Sequence, residues 1–187
     1  MKTLSLTARI SLLFAVAASL VLLTTGYFLT QVVDAHFEEE DRIELNGKLA
    51  LVRNLLMQAT NSKTLDRLPE HMDDALVGHH GLAVVVTDAT GDIWFATAGA
   101  DFPRALLLAC QTRPATCTDE TLHQWVQNGV SHRGMAASIT AGGGGSYTVG
   151  VAQDIEHHAL FMDTFRSMLG IAIALAALAM AGLGWIV

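Results

Sequence analysis

Two long stretches without a charged side chain constrain this chain more than any other feature. No Asp, Glu, Lys or Arg occurs from Ile10 to Val33, and none from Ser167 to Val187. Each run exceeds the roughly 18–20 apolar residues with which a helix crosses a bilayer core. The two runs underlie the 51% hydrophobic content and the mean hydropathy of +0.40, high for an ordinary soluble domain. The expected organisation is a cytoplasmic N-terminus over 1–9, a transmembrane helix over 10–33, an exterior domain over 34–166 and a second transmembrane helix over 167–187.

Lys2, Arg9 and the small residues Ala17-Ala18-Ser19 would also suit a cleaved signal peptide. The first uncharged run is far longer than the roughly 7–15 residues of a signal's apolar region, which favours a retained anchor. Lys2 and Arg9 bias the N-terminus to the cytoplasm, so the middle section lies outside. All 18 acidic residues fall in that section, whereas two of the 11 basic residues precede it. An acidic exterior argues against nucleic acid or anionic lipid as partners and favours cations. The chain ends within the second run, at Gly184-Trp185-Ile186-Val187, and a longer parent protein is expected.

The first membrane helix is expected to continue outward from Val33 to about Ala59. Ile43, Leu45, Leu49, Val52, Leu55 and Leu56 recur near helical spacing, and Glu38 to Arg42 read as a charged, exposed segment. Leu65 to Val77 reads as a short helix with Pro69 near its start, and Gly78-His79-His80-Gly81 as a turn. Leu82–Val86 and Ile93–Thr97 read as strands of a hairpin around an Asp- and Gly-rich turn. Helices are expected over Phe102–Cys110 and Asp119–Gln127, with Thr118 or Asp119 as cap. Strands follow over Ser131–Thr140 and Ser146–Gln153, joined by a glycine run, Gly142 to Gly145, that reads as a mobile tip. A final helix starts at Asp154. The pattern predicts an α+β exterior domain with a small antiparallel sheet.

The chemistry gathers where the chain meets the two apolar runs. His36 and Phe37 follow the first run; Asp154 and His158, spaced i, i+4 and followed one turn on by Met162, precede the second. Carboxylate, imidazole and thioether together suit copper or silver better than calcium or magnesium. Both histidine-bearing collars start at a bilayer surface, so His36 and His157 or His158 stand at similar depth and can meet within a subunit or across a dimer. His71 reads as helix surface and His79-His80 as turn residues. Alternation places His132 and Met135 on opposite faces of one strand, leaving Met135 as an auxiliary soft ligand. Cys110 and Cys117 are expected to form a disulfide, with a Cu(I) dithiolate as the alternative. No nucleophile elbow, phosphate loop or HExxH motif is present.

In His36-Phe37 with its acidic run, Asp154-Ile155 with His157-His158, and the Gly-Trp-Ile-Val end, the chain resembles the N-terminal sensor region of bacterial heavy-metal sensor histidine kinases, especially copper- and silver-responsive members. The resemblance implies a PAS-like, PDC-type periplasmic domain in an inner-membrane homodimer, with the metal between membrane-proximal helices. It implies copper, as Cu(II) or Cu(I), or silver as the ligand. His36 and His158 become the ligands, Phe37 packs beside the ion and His157 is the competing assignment. It further implies a HAMP linker, phosphoacceptor and ATPase domains and a cytoplasmic response regulator as partner. Two other input classes remain open: a small-metabolite sensor or chemoreceptor using sheet residues such as Trp94 and Tyr147, and an exterior assembly module.

Overall fold

The structure is a computed structural model that describes residues 6–76, 81–100, 102–114, 117 and 121–186. His79, His80, Thr118 and Asp119 lie outside the described residues. The elements are α1 (Leu6–Gln58), α2 (Ser62–Leu76), β1 (Leu82–Thr87), β2 (Ile93–Ala96), α3 (Arg104–Thr112), β3 (His123–Gln127), β4 (Val130–Thr140), β5 (Ser146–Asp154) and α4 (Glu156–Ile186). They form two compact units, one of residues 39–157, the other of residues 1–38 with 158–187.

In the first unit all strand pairings are antiparallel, in the order β2-β1-β5-β4-β3. This is the α+β, PAS-like sheet that was expected. Strand side chains alternate between faces. Val84, Val86, Met135, Ala137, Val149 and Val151 form one core with Leu45, Leu49, Val52 and Leu56 of α1 and Leu68, Met72 and Leu76 of α2. On the opposite face Val85, Ala136 and Ala152 pack with Phe102, Leu107 and Cys110. Gly150 lies in register with Val85 and Ala136. A Cβ there would come within 3.0 Å of Phe102 and Leu107, so α3 packs this closely only over a glycine. Cys110 is joined to Cys117 by a disulfide, which removes the dithiolate alternative. Closing so short a loop contributes roughly 2–3 kcal/mol on the chain-entropy model.

Three local expectations change. The segment expected as a helix over Asp119–Gln127 ends instead in strand β3, His123–Gln127. Asn128 and Gly129 follow with φ of 52° and 82°, the left-handed pair that a tight two-residue hairpin requires. Trp125 then packs edge-on to Phe102, ring centroids 5.1 Å apart. Ile43 is 65% exposed, whereas Asp41, inside the segment read as a solvated face, is 2% exposed. The glycine run, expected to be mobile, is seated on α1. Gly142 N–H donates to the Leu56 carbonyl (3.2 Å), which also accepts from Ala59 N–H, and Gly143 N–H donates to that of Ala59 (3.0 Å), just past the helix end.

In the second unit Gly26 of α1 is buried against Leu169 of α4; a Cβ at Gly26 would lie 2.9 Å from Leu169 Cδ2. Both helices contain windows long and apolar enough to cross a membrane. Outward side chains such as Leu13, Phe14, Leu175 and Leu178 are exposed and apolar, a surface that water disfavours.

A Cβ at Gly142 would lie 2.2 Å from the Met57 carbonyl oxygen. Gly142→Ala is therefore expected to lower unfolding stability by about 1–3 kcal/mol, checked by thermal or urea denaturation. At the β1–β2 turn the Asp88 carboxylate accepts from Thr90 Oγ1 (2.5 Å), Thr90 N–H (2.9 Å) and Asp92 N–H (3.1 Å). These bonds, the Thr90 hydroxyl first, hold its pKa below the ordinary 3.8. Because the folded-state value is depressed, the stabilisation is complete above 3.8 and fades as pH falls through the lower folded value. The difference in melting temperature between wild type and Asp88→Asn should be constant near neutrality and close only at strongly acidic pH.

Candidate metal centre

The candidate residues of the helix-pair unit come from adjoining turns of two helices. His36 and Phe37 are consecutive on α1, and His158, Phe161 and Met162 lie in the first turns of α4. Neither helix breaks at these positions, so each side chain has a fixed place on a helical face. The Phe37 ring stacks on the His158 imidazole, centroids 4.4 Å apart and planes at 19°. Phe161 meets Phe37 edge-on at 5.6 Å, and the His36 ring lies 6.4 Å from that of Phe37. Phe37 is thus the ring common to both imidazoles. The two collars, far apart in sequence, meet at this aromatic contact.

Met162 follows His158 by one turn and is 5% exposed. His157, in the domain unit, is exposed on the first turn of α4. Asp154 does not join the face of His158 as expected. It is the last residue of β5, and its Oδ1 accepts the Glu156 N–H (2.7 Å), a turn that leads the strand into α4. Met135 is fully buried in the sheet core under α1 and α2. His132, on the other face as expected, stacks on Trp125 at 5.9 Å. His71 is exposed on α2, and Trp94 packs on Tyr147 at 5.4 Å in the core.

The donor set tests which ion these residues fit. Among the described residues no group of three or more His, Cys, Asp or Glu converges. A tetrahedral zinc site of ordinary composition is therefore not assembled from those residues in one chain. Imidazole with thioether suits a soft ion of low coordination number, or half of a site shared by two chains.

Sequence reasoning found the histidines because they border uncharged runs. It missed a polar cluster beside them in the chain. The Asp41 carboxylate accepts from Arg133 Nη1 (2.5 Å) and from Gln153 Nε2 (2.6 Å), fastening α1 to β4 and β5. The usable signal was the spacing: Asp41 stands i+4 from Phe37 and i−4 from the buried Leu45.

A five-stranded antiparallel sheet of PAS-like order, entered and left through long apolar helices, is the architecture of a sensor module. A family model described as the CusS sensor domain matches residues 2–162, and the chain belongs to that family. It is 27% identical over 169 residues to the probable sensor protein PcoS of Escherichia coli, covering 88% of this chain and 36% of that protein. It is 32% identical over 94 residues to the sensor protein CzcS of Cupriavidus metallidurans, covering 50% of this chain and 20% of that protein. Among solved structures, it is similar to the sensor domain of the zinc-responsive histidine kinase CzcS from Pseudomonas aeruginosa, at 21% identity and a TM-score of 0.33, covering 62% of this chain and 95% of that one. The chain spans 20% to 36% of the length of the curated relatives it matches. The expected kinship with the sensor regions of heavy-metal sensor histidine kinases is borne out.

Proposed function

We propose that the chain is the metal-sensing input region of a two-component histidine kinase, with α1 and α4 crossing the inner membrane and the sheet-bearing unit in the periplasm. The proposed ligand is copper, with silver as its soft analogue, held by His36 and His158. The observation that carries the reading is the Phe37 ring stacked on His158 at 4.4 Å with His36 adjacent. An aromatic face attracts a cation, so Phe37 adds to the two imidazoles without adding a titrating group. Met162 is the reserve donor, His157 the alternative imidazole, and Met135 an auxiliary thioether that would need the core to open.

With no three-donor group among the described residues of one chain, the reading favours a homodimer in which His36 of one subunit and His158 of the other complete the coordination. The chain's own residues do two things there. The imidazoles supply the donor nitrogens, and the unbroken α1 and α4 turn a change in the distance between them into a displacement along both helices. Occupancy shifts the equilibrium between two helix arrangements only by the difference in affinity for them, so an ion bridging both collars acts more strongly than one held by either. A kinase region beyond this chain would pass the change to a response regulator.

The second reading, a metabolite sensor, draws on a cavity of about 690 Å³ beside α3, bordered by Asp92, Arg104 and Gln111, within the usual size of small-molecule sites. Titration of the full-length protein with copper, silver and zinc separates the two. On the metal reading, His36→Ala removes high-affinity copper or silver binding and metal-dependent autophosphorylation, while circular dichroism and melting temperature stay at wild-type values. An undiminished metal response in His36→Ala would overturn the assignment. A high-affinity zinc response with none to copper or silver would keep a metal sensor and replace its ion.

A further inference from the structure

The Asp41 cluster is built within the sheet-bearing unit, and none of its members is among the proposed metal ligands. We propose that Asp41 is a positioning residue: clamped by Arg133 and Gln153, it fixes the rotational register of α1 on the sheet, and transmission of metal occupancy from His36 and Phe37, earlier on the same helix, would depend on that register. The consequence for the metal centre rests on the function proposed above; the register itself does not.

Arg133 on β4 and Gln153 on β5 are register partners on neighbouring strands, both on the sheet face that carries α1. Arg133 Nη1 donates to Asp41 Oδ2 and Gln153 Nε2 to Asp41 Oδ1, so each carboxylate oxygen is held from a different strand. The other buried members of that face of α1 are Leu45, Leu49, Val52 and Leu56. Leucine and valine contacts are non-directional, so they set the depth of the helix on the sheet more than its rotation. A carboxylate gripped on two oxygens does resist rotation, because either sense pulls one oxygen of the buried Asp41 from its donor. A lone polar residue in an apolar seam is the best-attested device for specifying register, and such a pair is a weak device for stability alone.

At the other end of the same packed segment, Gly142 and Gly143 bind the Leu56 and Ala59 carbonyls. The β4–β5 hairpin therefore holds α1 near its strand ends through Asp41 and at its tip through backbone bonds. The tip bonds run from backbone to backbone at the end of α1, whereas the Asp41 clamp holds a side chain on the face that meets the sheet.

The test uses full-length protein with the native disulfide intact and spin labels on cysteines introduced at the exposed Glu44 and Gln124. Their distance distribution is measured in wild type and in the double variant Asp41→Leu/Arg133→Met. Replacing both charges avoids a stranded charge, and the partly exposed Gln153 amide can turn to solvent, so the variant is expected to melt no lower than wild type. The distribution should be narrow in wild type and broad in the variant. The metal-induced change in autophosphorylation should fall about tenfold, a usual size for the coupling between two sites, while the copper concentration for half-occupancy is retained. If the double variant does not fold, Asp41→Asn, which keeps the shape and one acceptor oxygen, should broaden the same distribution. A narrow wild-type distribution in every folded variant would overturn the assignment, as would a broad distribution with an undiminished metal response. A wild type that ignores metal, alongside a variant that broadens, would remove the metal reading and leave the register role standing.

Discussion

One unbroken helix sets the terms for everything else in this chain. The less exposed positions of α1 recur in steps of three and four: Gly26, Thr30, Val33, Phe37, Asp41, Leu45, Leu49, Val52 and Leu56. That spacing keeps them in a single stripe, and the residue types along it change with what each stretch must meet. Gly26 allows close approach of another helix, as small residues do where two apolar helices pack. Phe37 stacks on an imidazole, Asp41 takes two donors, and the leucines beyond close over a β-sheet. Gly47, a weak helix former, falls off the stripe, where its lack of a side chain leaves no gap in the core.

Much of the fold was legible because its signals are local. A β-branched apolar run followed by an Asp- and Gly-rich turn located β1 and β2, and the long apolar runs located both long helices. The failures came where tertiary contacts decide. β3 is an edge strand whose outward residues include Val126 and whose inward ones include His123 and Gln127, so hydrophobic alternation is reversed along half its length. Asn128-Gly129 was the counter-signal, and it outweighs the pattern because few other pairs adopt left-handed dihedrals in succession. The glycine run was misread for the opposite reason. Glycine is flexible in the unfolded chain, but here the absence of a Cβ lets the hairpin tip approach Met57 and donate to the end of α1.

At the site, histidines next to uncharged runs could be picked out from sequence, since position along an apolar helix restricts where they emerge. The stacking of Phe37 on His158 was not readable, because it depends on how α1 and α4 pair. Nor was the role of Asp154, which composition places among metal donors and geometry assigns to the turn before α4. Asp41 was hidden by its neighbours. In a segment that reads Glu38, Glu39, Glu40, Asp41, Arg42, charge density suggests a solvated face, and only the period of the stripe singles out the fourth residue as buried.

The arrangement also bears on which ion the proposed centre would prefer. A site that depends on a few donors from rigid helices cannot rearrange to supply the four ligands of zinc without moving an element, whereas a soft monovalent ion is satisfied by two nitrogens and a polarizable neighbour. Selectivity of this kind rests on geometry more than on affinity: a site with a fixed, small donor set penalises the ion that needs more ligands. The stiffness of that donor set comes from the elements behind it. An imidazole on an unbroken helix has its backbone place set by the helix, which leaves only its side-chain torsions to adapt to a different coordination geometry. On the proposed reading, the helices that carry the donors therefore help to choose the ion as well as to report it.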